Sequence, residues 1–241
     1  MIHILCEIEK QYDEVGFHRN RVIVYYLYIM IYIIEHMEQG FSEWVTLEYA
    51  QILRDIGSDK LILSSLPKGT TTSDIPQLLL DLGLQWSCDD LKNLHNSFPN
   101  LPPMGNGNCC LLDPHATTDL VPEDTNKFEF FIFGGILGDH PPRDRTKEIK
   151  ELYPDLVSGR RLGDKQMTTD TAIRTTQLII ESGKPLESIK FIDYPEFRFS
   201  KKEATEMPFR YVLDAEGKPI LPKGMLELIK KDSEQSLDDL L

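Results

Sequence analysis

The sequence predicts an α/β protein built on a mostly parallel sheet. Short apolar runs that read as covered strands alternate with helical patterns up to about residue 195, the rhythm of strand–helix–strand units. Two glycine turns, FIFGGILGDH at residues 131–140 and RRLGDKQMTTDTA at residues 160–172, stand where apolar elements end or begin. At such turns a small ligand can approach bare backbone. A chain of 241 residues fits one large domain or two small ones with a proper core.

Taken in order, organised structure is expected from Met30. Residues 31–36 (IYIIEH) read as a short buried strand. Ser42 is placed to cap a helix whose apolar positions Trp44, Leu47, Tyr49, Ile52 and Leu53 follow helical spacing, with Gly57 as its stop. Strands are expected at residues 60–66, 109–112 and 127–133, the last apolar on both faces as a covered parallel strand requires. A short helix is expected at 76–82, a loop at 97–107, a helix over 143–152 stopped before Pro154, and another from Thr168 to Gly183. A fifth strand is expected at 188–194. Beyond it, residues 209–222 read as a β-ribbon around a glycine turn, 225–231 as a short helix, and the acidic end as a fraying tail. This gives residues 1–29 as an N-terminal extension, foreign in pattern and expected to precede the natural start at Met30. The alternative is an extra strand, since residues 22–29 have β character. Residues 30–200 form the main domain, and 201–241 a C-terminal ribbon, helix and tail packed on it.

Lys and Arg number 26 against 39 Asp and Glu, a formal charge of −13. An acidic surface opposes the phosphate neutralisation on which nucleic-acid affinity rests, so no stable nucleic-acid binding is expected and a basic partner suits the chain better. Cys6, Cys88, Cys109 and Cys110 make no disulfide framework, which points to a reducing, cytoplasmic setting. Cys88, His95, Cys109, Cys110 and His115 are the donors a zinc site would need. However, Cys109 and Cys110 begin a strand, where neighbours point to opposite faces, so no metal is expected. The apolar stretch 22–34 has 13 residues against the roughly 20 of a membrane span, so no membrane association is expected.

The first glycine turn lacks the spacing of the dinucleotide fingerprint, and His140-Pro141-Pro142 prevents an immediate helix. It also lacks the Gly-Lys-Ser/Thr ending of a phosphate loop. In the second, Leu162 and Met167 are apolar among polar neighbours. They can wall an adenine ring while backbone at Gly163 and Gln166 reads its edge. Thr168 or Thr169 can cap the helix, with Asp170 near its positive end. Both turns also have a purely structural reading, as a tight turn and as a capped helix start.

LLDP (residues 111–114), FIFGGILGDHPPRDR and RRLGDKQMTTDTA resemble, in order and spacing, the three S-adenosylmethionine-binding loops of the SPOUT methyltransferases. EHMEQGFSEWVTLEY, GGILGDHPPRDRT and GDKQMTTDTA are most similar to the branch that methylates an arginine of a small-subunit ribosomal protein. The resemblance covers about residues 30–230. It implies a parallel sheet with helices on both faces, threaded at its C-terminal part into a trefoil knot. It also implies S-adenosyl-L-methionine as cofactor, S-adenosyl-L-homocysteine as product, and a monomer in this branch. By position it assigns cofactor contacts to Asp113 and Pro114 in the first loop. The second loop contributes Gly134, Gly135, Ile136, Leu137 and Gly138, and the third Leu162, Gly163, Gln166, Met167, Thr168 and Thr169.

A guanidinium is protonated at neutral pH and a poor nucleophile, so the enzyme must orient one nitrogen and let a proton leave. Carboxylates match the guanidinium fork. The acidic residues expected nearest the pocket are Glu35, Asp139, Asp164 and Asp170, with Asp139 first because it directly follows the glycine turn. His36 and His140 are candidates to take the released proton. For each, capping or surface solvation is the plainer role. The expected substrate is a basic small-subunit ribosomal protein, drawn by charge. The rivals are an RNA methyltransferase of the same fold acting on tRNA or rRNA, and a non-enzymatic ribosome-associated module.

Overall fold

A six-stranded parallel sheet organises the molecule and brings three loops to one edge. The computed structural model describes residues 3–12, 18–27, 30–135, 144–200 and 204–238. In chain order, β1 (His3–Tyr12) and β2 (His18–Leu27) form a separate antiparallel pair. Then come β3 (Ile31–Glu35), α1 (Glu43–Ile56), β4 (Leu61–Ser64), α2 (Gln77–Asp81), β5 (Gln85–Trp86), β6 (Cys109–Leu112) and β7 (Phe130–Gly134). They are followed by α3 (Arg145–Leu152), β8 (Val157–Arg160), α4 (Thr169–Ile180), β9 (Phe191–Asp193), β10 (Glu196–Arg198), β11 (Ala204–Glu206), β12 (Arg210–Val212) and α5 (Met225–Asp238). The order across the sheet is β5-β4-β3-β7-β6-β8.

Strand alternation sorts the core onto two faces. Tyr32, Ile34, Cys110, Leu112, Phe131 and Phe133 pack with α1 and α4. Ile31, Ile33, Cys109, Leu111, Phe130 and Ile132 pack with Ile149 of α3 and with Leu91 and Leu94. Helices thus cover both faces. Cys109 and Cys110 lie on opposite faces as buried free thiols. Among the described residues, no group of three or more His, Cys, Asp or Glu could hold a metal ion, and no helix is long and apolar enough to cross a membrane.

The caps of α1 follow its sequence. Ser42 Oγ accepts the Val45 amide at 3.2 Å, and Gly57 closes the helix at φ 88°. Several expectations need correction. The strand at 188–194 does not join the parallel sheet: β9 pairs antiparallel with β12. The sheet is completed instead by β8, whose VSGR sequence carries no apolar run because it is a half-exposed edge. The ribbon at 209–222 is looser than a strand pair. Its return limb makes one bridge, Leu213 with Pro219, with backbone bonds from Ile220 N to Val212 O and from Asp214 N to Lys218 O. Pro219 and Pro222 have no N–H to extend that ladder. The C-terminal helix runs on to Asp238, into the acidic stretch expected to fray. Its Met225, Leu228 and Ile229 bury against Met207 and Tyr211.

Candidate functional site

The C-terminal ends of β6 and β7 and the loop before α4 enclose a cavity of about 480 Å³, within the range of pockets that hold small ligands. It lies where ligands of open parallel sheets bind, beyond the strand ends. Leu112 and Phe133, the last apolar residues of their strands, form its floor with Ala172. Leu162, Gly163, Asp164, Lys165, Gln166, Met167 and Thr169 form one wall, and Asp113, Pro114, His115, Gly134 and Gly135 another. The start of α3 supplies Asp144, Arg145 and Thr146. Expected residues from all three loops therefore meet at one site.

Two glycines are required by geometry. A Cβ on Gly135 would stand 2.1 Å from the His36 carbonyl oxygen, because the chain leaving β7 crosses the end of β3. Gly163 has φ +84°, a conformation that L side chains rarely adopt. The loop that follows is braced from outside. Arg210 N donates to the Gln166 carbonyl at 2.9 Å, which fixes the direction of that carbonyl. The Arg210 guanidinium forks onto Asp193 at 2.6 and 3.0 Å and lies over the Phe191 ring. The Thr175 hydroxyl approaches Met167 Sδ at 3.7 Å.

Thr168 occupies the N-cap position of α4 but caps nothing with its side chain. It is buried behind the wall, and its hydroxyl donates to Thr171 Oγ1 at 2.8 Å. The capping carboxylate comes from α1 instead: Glu48 Oε2 accepts the Asp170 amide at 3.4 Å.

The lining of the cavity carries three carboxylates, Asp113, Asp144 and Asp164, beside the basic Arg145 and Lys165. Asp113 is buried, and its Oδ1 accepts the His115 amide at 2.9 Å and the Thr146 hydroxyl at 3.2 Å. Asp144 caps α3 by accepting the Lys147 amide at 3.0 Å, and its other oxygen lies 3.7 Å from His115 Nε2. Asp164 is largely exposed beside Lys165. Arg145 is buried, and its guanidinium donates to the Met37 carbonyl at 3.2 Å and to Glu38. Sequence reasoning missed the α3 residues. Their signal was the DRT run directly after the glycine-proline turn, with Asp144 in an N-cap position.

Three expected catalytic residues lie off this cavity. Glu35 is buried at the end of β3, where Oε1 accepts the Leu91 amide at 3.3 Å. Burial, with Asp90 nearby, holds its carboxyl above the ordinary range. His36 has both ring nitrogens engaged, Nδ1 with the Tyr49 hydroxyl at 2.9 Å and Nε2 with the Gly40 carbonyl at 3.1 Å. The carbonyl can only accept, so Nε2 carries the proton and Nδ1 accepts from Tyr49. Burial pushes its pKa down to about 4. Asp170 is buried against α1 rather than in the cavity, and burial pushes it up to about 6. Ile136, Leu137, Gly138, Asp139 and His140 lie outside the described residues.

The cavity suits a nucleoside carrying a positive charge: apolar floor and wall, backbone left bare by glycine, and carboxylates around the mouth. A family model described as "Protein arginine N-methyltransferase SFM1-like" matches residues 31–236. The chain belongs to that family. It is 71% identical over 212 residues to protein arginine N-methyltransferase SFM1 of Saccharomyces cerevisiae, covering 88% of this chain and all of that protein. The structure of yeast arginine methyltransferase SFM1 complexed with SAM matches it with a TM-score of 0.82 at 70% identity, over 85% of this chain and 92% of that one. The same yeast enzyme complexed with SAH matches with a TM-score of 0.80 at 70% identity, over 83% and 94%. Family membership makes this chain a protein arginine methyltransferase.

Proposed function

We propose that the chain methylates an arginine of a basic small-subunit ribosomal protein, as a monomer in the cytoplasm. S-adenosylmethionine is the cofactor, as in the SAM-bound relative. The observation that carries the reading is the cavity itself. It joins the three loops and sets Asp113, Asp144 and Asp164 around its lining.

When bound, the cofactor supplies a methyl group already activated by its sulfonium. The chain's own residues must then bind, orient and exclude water. Leu162 and Met167 offer apolar walls for an adenine ring, and Gly163 keeps the backbone clear of side-chain bulk. Asp113 is tied down by His115 N and Thr146 and so shapes the floor of the first loop. Asp139, which directly follows the β7 glycine turn in sequence, is assigned to hold the guanidinium and steer one nitrogen. Asp144 is a second carboxylate for the same task. Either would draw electron density to the attacking nitrogen and stabilise the fork by charge-assisted bonds. We assign the convergence of the three loops to a trefoil knot.

The ribosomal substrate and single-chain state rest on the resemblance of GGILGDHPPRDRT and GDKQMTTDTA. The −13 formal charge complements a basic protein. The test is radiolabelled cofactor with ribosomal protein and, separately, with RNA. Label is expected in protein, and Asp139→Asn should keep cofactor binding while cutting turnover about 100-fold, the scale of a misplaced reacting group. Label in RNA contradicts the substrate assignment, and unchanged turnover contradicts the role of Asp139.

A further inference from the structure

We infer that Glu48 is a positioning residue for the cofactor site: from α1 it holds the first turn of α4, and with it the Met167–Thr169 wall, by accepting backbone amides of that turn. The first amides of a helix have no partner within it. In α4 the N-cap Thr168 gives its hydroxyl to Thr171 instead. Glu48 meets that need from 122 residues away, its Oε2 accepting the Asp170 amide at 3.4 Å and its Oε1 the Trp44 indole at 2.5 Å. The Thr169 amide faces the same carboxyl. A carboxylate suits the positive end of a helix. Thr169 lines the cavity, and Met167 precedes it by two residues. Whatever fixes that turn therefore fixes the wall.

Asp170 makes the clamp conditional. Glu48 and Asp170 are each 1% exposed, and no well-formed hydrogen bond reaches the Asp170 carboxyl, whose nearest donors are the Thr168 hydroxyl and the Thr171 amide. Two ionised carboxylates are not stable together in such a seam, so one of the two keeps its proton. Burial pushes Asp170 up to about 6 and Glu48 well above the usual carboxylate range. The other charged or titratable groups facing the pair are Arg174 of α4 with its partner Asp55 of α1, and Tyr211 of β12. Arg174 is already engaged by Asp55 and neutralises the pair only in part. Loss of that proton leaves two negative charges between α1 and α4, pushes the helices apart and loosens the wall. The second brace, Arg210 N on the Gln166 carbonyl, has no titrating group and keeps its hold.

The inference rests on the reading of this cavity as the cofactor site. The test is calorimetric binding of S-adenosylhomocysteine to the full chain between pH 6 and 9.5, with amide exchange at Thr169 and Asp170 as a second readout. In wild type, affinity should fall with rising pH as the pair loses its proton. Glu48→Ala should weaken binding about tenfold at neutral pH, the scale of a lost bond to a charged group, and speed exchange of both amides. Glu48→Gln should recover most of the affinity and flatten the pH profile. Wild-type-like binding by folded Glu48→Ala overturns the inference alone. If Glu48→Ala does not fold, an undiminished pH slope in Glu48→Gln overturns it. No binding by wild type overturns the reading of the cavity and the inference with it.

Discussion

Two corners at the same edge of the sheet are finished in opposite ways. At the end of β3, Glu35 and His36 turn inward and their side chains are bonded to Leu91 N, Tyr49 and the Gly40 carbonyl. Beyond β6, and at Gly134 and Gly135 where β7 ends, a cavity opens between Asp113, Gly134 and Met167. Both corners hold carboxylates in reach of the strand ends. Only the second leaves them beside open space. A charged residue at a strand end is thus chemically available only where its neighbours do not already use it.

The harshest way to break this contrast acts at the point where the corners touch. Gly135→Ala would drive a Cβ to 2.1 Å from the His36 carbonyl and 3.0 Å from that of Glu35. These are backbone atoms and cannot step aside. The expected loss is about 3 kcal/mol or more of folding stability, the upper range for overpacking, with binding of S-adenosylhomocysteine lost in parallel. Urea unfolding measures it. A variant as stable as wild type would mean that the β3 and β7 ends are farther apart than described here.

A smaller effect sharpens the same contrast, because the two residues of the closed corner titrate in opposite senses. The carboxyl of Glu35 is raised above its ordinary 4.5. Its contribution to stability is present below that pH and lost as pH rises through the folded value. The imidazole of His36 is lowered from 6.5 to about 4. Its contribution is present above pH 6.5 and lost as pH falls toward 4. Glu35→Gln should therefore gain on wild type at pH 8, by about 1 kcal/mol, the low end of the desolvation cost of a buried polar group, and lose that gain below pH 4.5. His36→Asn should narrow its deficit on wild type between pH 6.5 and 4. Thermal unfolding across that range checks both, and parallel slopes for the two variants would contradict the assignment.

Much of the parallel sheet was legible because its strands are apolar on both faces: IYIIE, CCLL and FFIFG declare buried central positions. The edge strand β8 was not, since Ser158, Gly159 and Arg160 answer to an exposed rim rather than to the core. The 188–194 stretch has strand chemistry, but its pairing partner, β12, is set by tertiary contact with the third loop. In the site, glycine spacing located the loops because bare backbone is a local requirement. Carboxylate roles were less legible, because direction and bonding decide them. Asp170 sits one residue from the cavity wall yet faces Glu48, and Asp144 lines the cavity from a helix start whose local signal, an N-cap position, speaks of structure and not of a site.

The central claim is that the cavity of the second corner holds the cofactor and the closed first corner does not touch it. Calorimetric titration of S-adenosylhomocysteine into Met167→Asp and Glu35→Gln tests this directly. Met167→Asp replaces an apolar wall with an ionised group and should weaken binding at least about tenfold, since an unpaired charge in an apolar site is costly. Glu35→Gln should bind within about twofold of wild type, as expected for a residue that shares no partner with the ligand. Loss of binding in Glu35→Gln with none in Met167→Asp would contradict the account.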